Sequence, residues 1–259
     1  MYTNIYSEII RNFLIDNLQN IDILIFDSIE STNTYLKGIC NTTSGEFTTV
    51  IANEQTNGRG RLGRNFFSPA NTGIYMSFEV KPDISISDAT FLTTATSVAV
   101  CKAIENVAKL SPKIKWINDI YIDNKKVCGI LAEAVTDIYT GILQSIIIGI
   151  GINVTTSEEI FPNEIKDVAA SLNKEIDRNK LIASILNEFY EIYNNPSSPY
   201  MEEYKSRSLI LEKEIYYIKN GHKYYATALD FTENGGLIVK NDNGKIETLT
   251  SGEISLRLI

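Results

Sequence analysis

The sequence predicts an α+β protein in two parts, and three observations carry that expectation. Amphipathic helical stretches and β-patterned runs are interspersed up to about residue 205. The tract Asn194-Asn195-Pro196-Ser197-Ser198-Pro199 then stops the last long helix. After Ser206 the chain becomes short strands broken by Asn220-Gly221, Asn234-Gly235-Gly236 and Asn243-Gly244, which suits a small SH3-like barrel of ~50 residues. The expected domains are therefore 1–205 and 206–259.

The elements follow in order. Ile5, Ile9, Ile10, Phe13 and Leu14 recur at helical spacing, and Ile21 to Phe26 reads as a short buried strand. About twenty residues precede that strand, too few for a DNA-reading helix-turn-helix with its own core. A helix is expected from Thr34 to Cys40, a strand from Phe47 to Asn53, a polar glycine-rich loop from Glu54 to Ser68, and a strand from Ile74 to Val80. Asp88 is placed to cap a long helix whose apolar stripe includes Phe91, Leu92, Ala95, Val98, Ala99 and Val107. Ile120 to Ile122 and Val127 to Ala132 flank a turn at Asp123 to Lys126, and Ser145 to Val154 continues the β pattern. Asp177 opens a final amphipathic helix with Leu181, Ile182, Ile185, Leu186, Phe189 and Ile192 on one face.

Composition bounds what such a chain can do. With 259 residues, 44% apolar and 22% charged, it can bury one sizeable core and a small second one. A net charge of −8 opposes general affinity for DNA or RNA, whose backbone needs clustered Lys and Arg. The start, Met1-Tyr2-Thr3-Asn4, has neither a basic nor an apolar leader region, and no stretch approaches the ~18 apolar residues of a spanning helix. A cytoplasmic protein without a membrane partner is the expectation. Cys40, Cys101 and Cys128 are odd in number and widely spaced, so neither a disulfide framework nor a protein-held metal is expected.

Four segments carry candidate chemistry, and each has two readings. In Gly58-Arg59-Gly60-Arg61-Leu62-Gly63-Arg64, three glycines let the backbone approach an anion while three guanidiniums supply forked donors. It fits neither a Walker A loop nor a Rossmann fingerprint. The bland reading is a solvated loop or a weak RNA contact. In Lys113 to Asp119, strand alternation sends Lys115 and Ile117 to one face and Ile114 and Trp116 to the other. Lys115 then either neutralises charge on a transferring phosphoryl group or is an exposed strand-end lysine beside an Asn118-Asp119 turn.

In Ile146 to Val154, Gly149 and Gly151 share a face, which either accepts a flat ring or marks a bulge or tight sheet contact. In Asp27 to Thr34, Ser31 or Thr32 caps a helix, or its hydroxyl binds a ureido or carboxylate oxygen.

Taken together the segments resemble the biotin–protein ligase family: Glu30-Ser31-Thr32-Asn33, Glu54 to Arg64, Lys115 to Asp119 and Gly149 to Asn153, in matching order and spacing. Ser68-Pro69, the Lys126 to Glu133 hairpin and Gly252 to Arg257 extend the likeness over nearly the whole chain. The resemblance implies a mixed sheet flanked by helices, of the class II aminoacyl-tRNA synthetase-like type, with the small C-terminal domain behind it. It implies biotin and ATP as substrates with Mg²⁺ assisting, and biotinyl-5′-AMP as intermediate. The implied acceptor is a lysine of a biotin carboxyl carrier protein of acetyl-CoA or a related carboxylase.

By position, Ser31, Thr32, Asn33, Gln55, Arg59, Gly60, Arg61, Lys115 and Gly129 would contact biotin, and Arg61, Asn118, Gly149, Gly151 and Asn153 the nucleotide. Lys115 and Arg61 would be catalytic, and Arg257 a remote contributor. Ile117 stands where the family usually has proline and Phe66 where tryptophan is common. Neither removes a charged group. The short N-terminal stretch argues against a repressor role, and an exposed sheet edge makes a homodimer an open expectation. The rivals are a lipoate or octanoyl ligase, which shares the chemistry but lacks the arginine loop, and a non-catalytic binder.

Overall fold

The computed structural model describes residues 4–42, 45–81, 90–137, 139–195, 197–219, 221–250 and 255–258. Strands β1 (Ile23–Ile29), β2 (Thr49–Gln55), β3 (Gly73–Val80), β4 (Lys113–Lys115), β5 (Asp119–Ile122), β6 (Lys125–Thr136) and β7 (Leu143–Asn153) form one sheet. Its order is β1-β2-β3-β7-β6-β5-β4. β1 runs parallel to β2 and all other neighbours are antiparallel, so the sheet is mixed. The expected buried strand at Ile21 to Phe26 is corrected on two counts. It begins at Ile23, and as an edge strand with one neighbour it is only partly buried.

The faces of the sheet differ because β7 alternates large and small. Ile146, Ile148, Ile150 and Ile152 point into the main core, under α3 (Thr90–Ala108), α4 (Arg178–Tyr193) and the short α1 (Ser7–Arg11). Ile147, Gly149 and Gly151 face the other way. There α2 (Thr32–Ile39) covers one end through Leu36, with Cys40, Val50 and Ile147. Past that helix the glycines floor a cavity.

Most of α3 is buried, not just one stripe: Thr93, Thr94, Thr96 and Ser97 are as enclosed as Leu92 and Val98. A buried hydroxyl needs a partner, and those of Thr94, Thr96 and Ser97 find one on their own helix. Thr96 Oγ1 donates to Leu92 O at 2.6 Å and Ser97 Oγ to Thr93 O at 2.9 Å. The expected Asp88 cap lies outside the described residues. At α4 the expected cap is present, with the Asp177 carboxylate accepting from the backbone N–H of Asn179 and Lys180. The β5–β6 hairpin turns on two residues, Asp123 and Asn124, with φ of 49° and 63°. Lys125 and Lys126, expected in the turn, belong to β6.

The linker after Pro199 contains a helix that the sequence reading missed, α5 (Tyr200–Ser206), with Tyr204 fully buried. Strands β8 (Glu214–Lys219), β9 (His222–Phe231), β10 (Leu237–Asn241), β11 (Ile246–Leu249) and β12 (Ser255–Leu258) follow as an antiparallel sheet in the order β11-β10-β9-β8-β12. Its Ile215, Tyr217, Leu237 and Val239 join the core cluster of the large sheet. Gly252, Glu253 and Ile254 lie outside the described residues, and Arg257 sits on β12. All three cysteines are buried and none forms a disulfide. No helix among the described residues is long and apolar enough to cross a membrane.

Candidate active site

One cavity of about 350 Å³ opens on the glycine face of the sheet, within the size range of small-molecule sites. It gathers segments far apart in sequence: the start of α2, the arginine loop, the β4–β5 strands, β6 and β7.

The start of α2 supplies a closed polar network. Ser31 is the N-cap, its hydroxyl accepting from Thr34 N at 3.4 Å. Gln55 Oε1 accepts from both Thr32 N (2.8 Å) and Thr32 Oγ1 (3.1 Å), while Gln55 Nε2 donates to Ser68 Oγ at 2.9 Å. Ser77, a polar residue in the otherwise apolar centre of β3, donates to Asn33 Oδ1 (2.6 Å), with its Oγ 2.7 Å from Thr32 Oγ1. Capping and lining are thus the same residue's two roles, since Ser31 also borders the cavity.

The arginine loop is a small ribbon rather than a loose excursion. Gly60 N donates to Arg64 O and Phe66 N to Gly58 O, with a 3-10 turn over Arg61–Gly63 at the tip. A Cβ at Gly58 would lie 2.4 Å from Phe66 O, so the ribbon closes only on glycine. Arg61 folds inward, Nη1 donating to Asn118 Oδ1 at 3.0 Å. Burial lowers its pKa, opposed by the carboxylate of Asp119, yet a guanidinium keeps its charge in proteins. Arg59 reaches Glu133 at 3.1 Å.

The strand glycines make room for tight contacts within the protein. A Cβ at Gly149 would stand 2.0 Å from Asn33 Oδ1, and one at Gly151 would stand 2.4 Å from the Phe66 ring. Both approaches are made by the protein's own side chains. Gly129 pairs with Gly151 across β6–β7 and completes a three-glycine patch.

Lys115 is the last residue of β4 and pairs with Asp119; its Nζ lies 5.7 Å from the centre of the Tyr121 ring. The expected alternation ends there. Trp116 lines the cavity beside Lys115, whereas Ile117 is buried in the core, because β4 is only three residues long. The Trp116–Ile117 peptide is cis.

This catalytic-strand candidate is gripped from behind. Trp116 Nε1 donates to Gly235 O (2.9 Å) in the β9–β10 turn, and Ile117 O accepts from Tyr204 Oη (3.2 Å), with Ser97 Oγ 3.3 Å away. Ile114 exchanges backbone hydrogen bonds with Arg207 and Leu209. Tyr204→Phe removes the phenol donor to Ile117 O, and a stability loss of about 0.5–1 kcal/mol is expected, since the single Ser97 proton, otherwise given to Thr93 O, can turn to the freed carbonyl 3.3 Å away. The urea midpoint measures it, and an unchanged midpoint would show the contact to be idle.

Of the predicted site residues, Ser31, Thr32, Asn33, Gln55, Arg59, Gly60, Arg61, Lys115, Asn118, Gly129, Gly149 and Gly151 all line the cavity. Asn153 does not; its Nδ2 donates to Ala170 O, tying the end of β7 to the 169–172 segment. Reading the sequence missed a second lysine, Lys126, whose Nζ is 2.6 Å from Asp119 Oδ1 and close to the floor at Gly129. It also missed Glu133, which accepts from Asn33 and Lys37. Burial works to raise the Glu133 pKa, but the hydrogen bonds from Lys37 and Asn33, with the charges of Lys37 and Arg59, outweigh it and hold it low. Its contacts are therefore present above the ordinary glutamate range and are lost only as pH falls through the depressed value.

Fold and cavity together define a ligase, and comparison with known proteins agrees. The Biotin/lipoate A/B protein ligase family profile matches residues 25–153, and that of the Biotin protein ligase C terminal domain matches residues 210–257. The chain is 35% identical to the bifunctional ligase/repressor BirA of Bacillus spizizenii over 89% of this chain and 72% of that protein. It is 26% identical to the biotin–[acetyl-CoA-carboxylase] ligase of Mycobacterium tuberculosis, over 79% and 77%. The Aquifex aeolicus biotin protein ligase in complex with biotin and ATP superposes with a TM-score of 0.78 at 29% identity, covering 92% of this chain and 99% of that one. The chain belongs to the biotin protein ligase family. The α+β reading with a mixed sheet and a small C-terminal β unit is borne out with it.

Proposed function

We propose that this chain joins biotin to one lysine of a biotin carboxyl carrier protein or domain of acetyl-CoA or a related carboxylase. The biotin carboxylate attacks the α-phosphorus of ATP, releasing pyrophosphate and leaving biotinyl-5′-AMP. The acceptor amine then attacks the anhydride carbonyl and AMP departs. The observation that carries the reading is the convergence, in one cavity, of Arg61 and Lys115 with the Ser31–Thr32–Asn33–Gln55 network over a glycine floor.

Each part suits a step. The hydroxyls and amides around α2 match the donors and acceptors of a ureido ring. Lys115 and Arg61 offset charge that builds on the α-phosphate in the transition state. The arginine ribbon shields the anhydride from water. Asn118 and the glycines of β7 border the nucleotide, and Asn153 acts by holding the end of β7. The relative of known structure at 29% identity carries biotin and ATP, which supports the same pair here.

The cavity is a poor cage for a resident metal. Its one lining carboxylate, Asp119, is paired with Lys126, and the described residues hold no group of three or more His, Cys, Asp or Glu. Magnesium accordingly enters as part of the substrate, on the ATP phosphates. The N-terminal and C-terminal parts divide as 1–205 and 206–259, with the second bracing the first at Trp116.

We read the chain as a ligase without repressor function. The net charge of −8 opposes DNA binding and supports that reading. Binding to duplex DNA at physiological salt would overturn this. Among the described residues the outer edge of β1 has no strand neighbour, which supports a homodimer, and sedimentation across concentrations tests it.

The deciding experiment is ATP–pyrophosphate exchange with biotin, lipoate or octanoate as the acid. Exchange with biotin alone is expected; exchange with lipoate or octanoate and none with biotin would transfer the chain to the lipoate branch. For Arg61→Ala, biotinyl-AMP should escape faster, because the bond to Asn118 that holds the ribbon inward is lost. Unchanged retention of the adenylate would contradict that role.

A further inference from the structure

Glu133 lies on β6 just beyond Leu131, the last residue of that strand to border the cavity. Its side chain is only 15% exposed, and it receives Lys37 Nζ at 2.6 Å, Asn33 Nδ2 at 2.8 Å and Arg59 Nη2 at 3.1 Å. The first two donors belong to α2 and the third to the arginine ribbon. We propose that Glu133 is a positioning residue that latches the arginine ribbon to α2 and sets Asn33 and Arg59 for biotin, without touching substrate itself. The inference rests on the ligase reading above.

Two features support a latch rather than a static ion pair. A carboxylate is acceptor-only, so it fixes which end of the Asn33 amide faces it. Nδ2 turns to Glu133, and Oδ1 is left to accept from Ser77 at 2.6 Å, directly over Gly149. Second, the carboxylate has two cationic partners where one would neutralise it. Lys37 stays on α2 when the ribbon swings open and takes Arg59 away, so opening leaves no buried charge unpaired. With Arg59 46% exposed, the contact is weak enough to break on each cycle.

The test uses Glu133→Gln, which keeps the shape but removes the charge and points a donor at Arg59. Glu133→Asp keeps the charge but withdraws it by one methylene. Both should raise the KM for biotin by about tenfold, the scale of one charge-assisted hydrogen bond. The KM for ATP, and kcat at saturating biotin, should change by less than about twofold. Trypsin should cut the ribbon at Arg59, Arg61 and Arg64 faster in both variants without ligand. Adding Arg59→Gln to Glu133→Gln should give little further loss, because the two groups act as one.

A fall in kcat with unchanged biotin KM, unchanged trypsin cutting, or fully additive losses would overturn the latch. Wild-type exchange is measured alongside. If the wild type shows none with biotin, the ligase reading fails; if it exchanges normally and the variants match it, only the latch fails.

Discussion

Replacing Lys115 with alanine is expected to slow adenylate formation by more than ~10²-fold, the scale of losing one preorganised donor at a site of developing charge. The lysine ends β4, borders the cavity, and sits on a segment braced by Tyr204, Ser97 and the Gly235 turn. That bracing matters, since a cation on a flexible side chain contributes to the transition state only if its backbone origin is fixed. Single-turnover formation of biotinyl-AMP measures the step without product release. Lys126→Ala is the informative companion. Lys126 is committed to Asp119 at 2.6 Å, so its loss should disturb Asp119 and the floor more than the chemistry. A near-normal rate for Lys115→Ala with a collapsed rate for Lys126→Ala would move the catalytic charge to Lys126.

That comparison arises because the second lysine was hidden. Lys126 reads in sequence as the end of a four-residue turn, and only the two-residue hairpin at Asp123–Asn124 places it on β6 beside Asp119. Strong local signals match the structure: the Asp177 cap, the hydroxyl cap at Ser31 and the β3 run are all legible from spacing and residue type. Failures came where tertiary contacts override a local pattern. The Asn194 to Pro199 tract signals a break, and it ends α4, but seven residues of α5 follow because Tyr204 has a buried slot under Ile117. Alternation past Lys115 failed because the chain leaves the sheet and turns Ile117 into the core. Glu133 carried no local signal at all, since its three partners lie 74 to 100 residues away and meet it only through the sheet register.

Gly149→Ala should give the other large effect, a rise in the KM for biotin of roughly 10- to 100-fold, matching ~1–3 kcal/mol of overpacking. The added methyl would stand 2.0 Å from Asn33 Oδ1 and 2.8 Å from its Cγ, well inside van der Waals contact. Asn33 has little room to yield. Its two ends are held by Ser77 and Glu133, and α2 is pinned beside it through the buried Leu36. Strain therefore passes into Thr32 and Gln55, the same network that faces the ligand. Gly151→Ala makes a useful contrast. Its methyl would meet the Phe66 ring at 2.4 Å, but Phe66 is only partly buried at the base of the arginine ribbon and can rotate or shift with it. The smaller effect should fall there, and on retention of the adenylate rather than on biotin KM. Equal effects at the two glycines, or an unchanged biotin KM for Gly149→Ala, would show that Asn33 is not the rigid wall of the pocket.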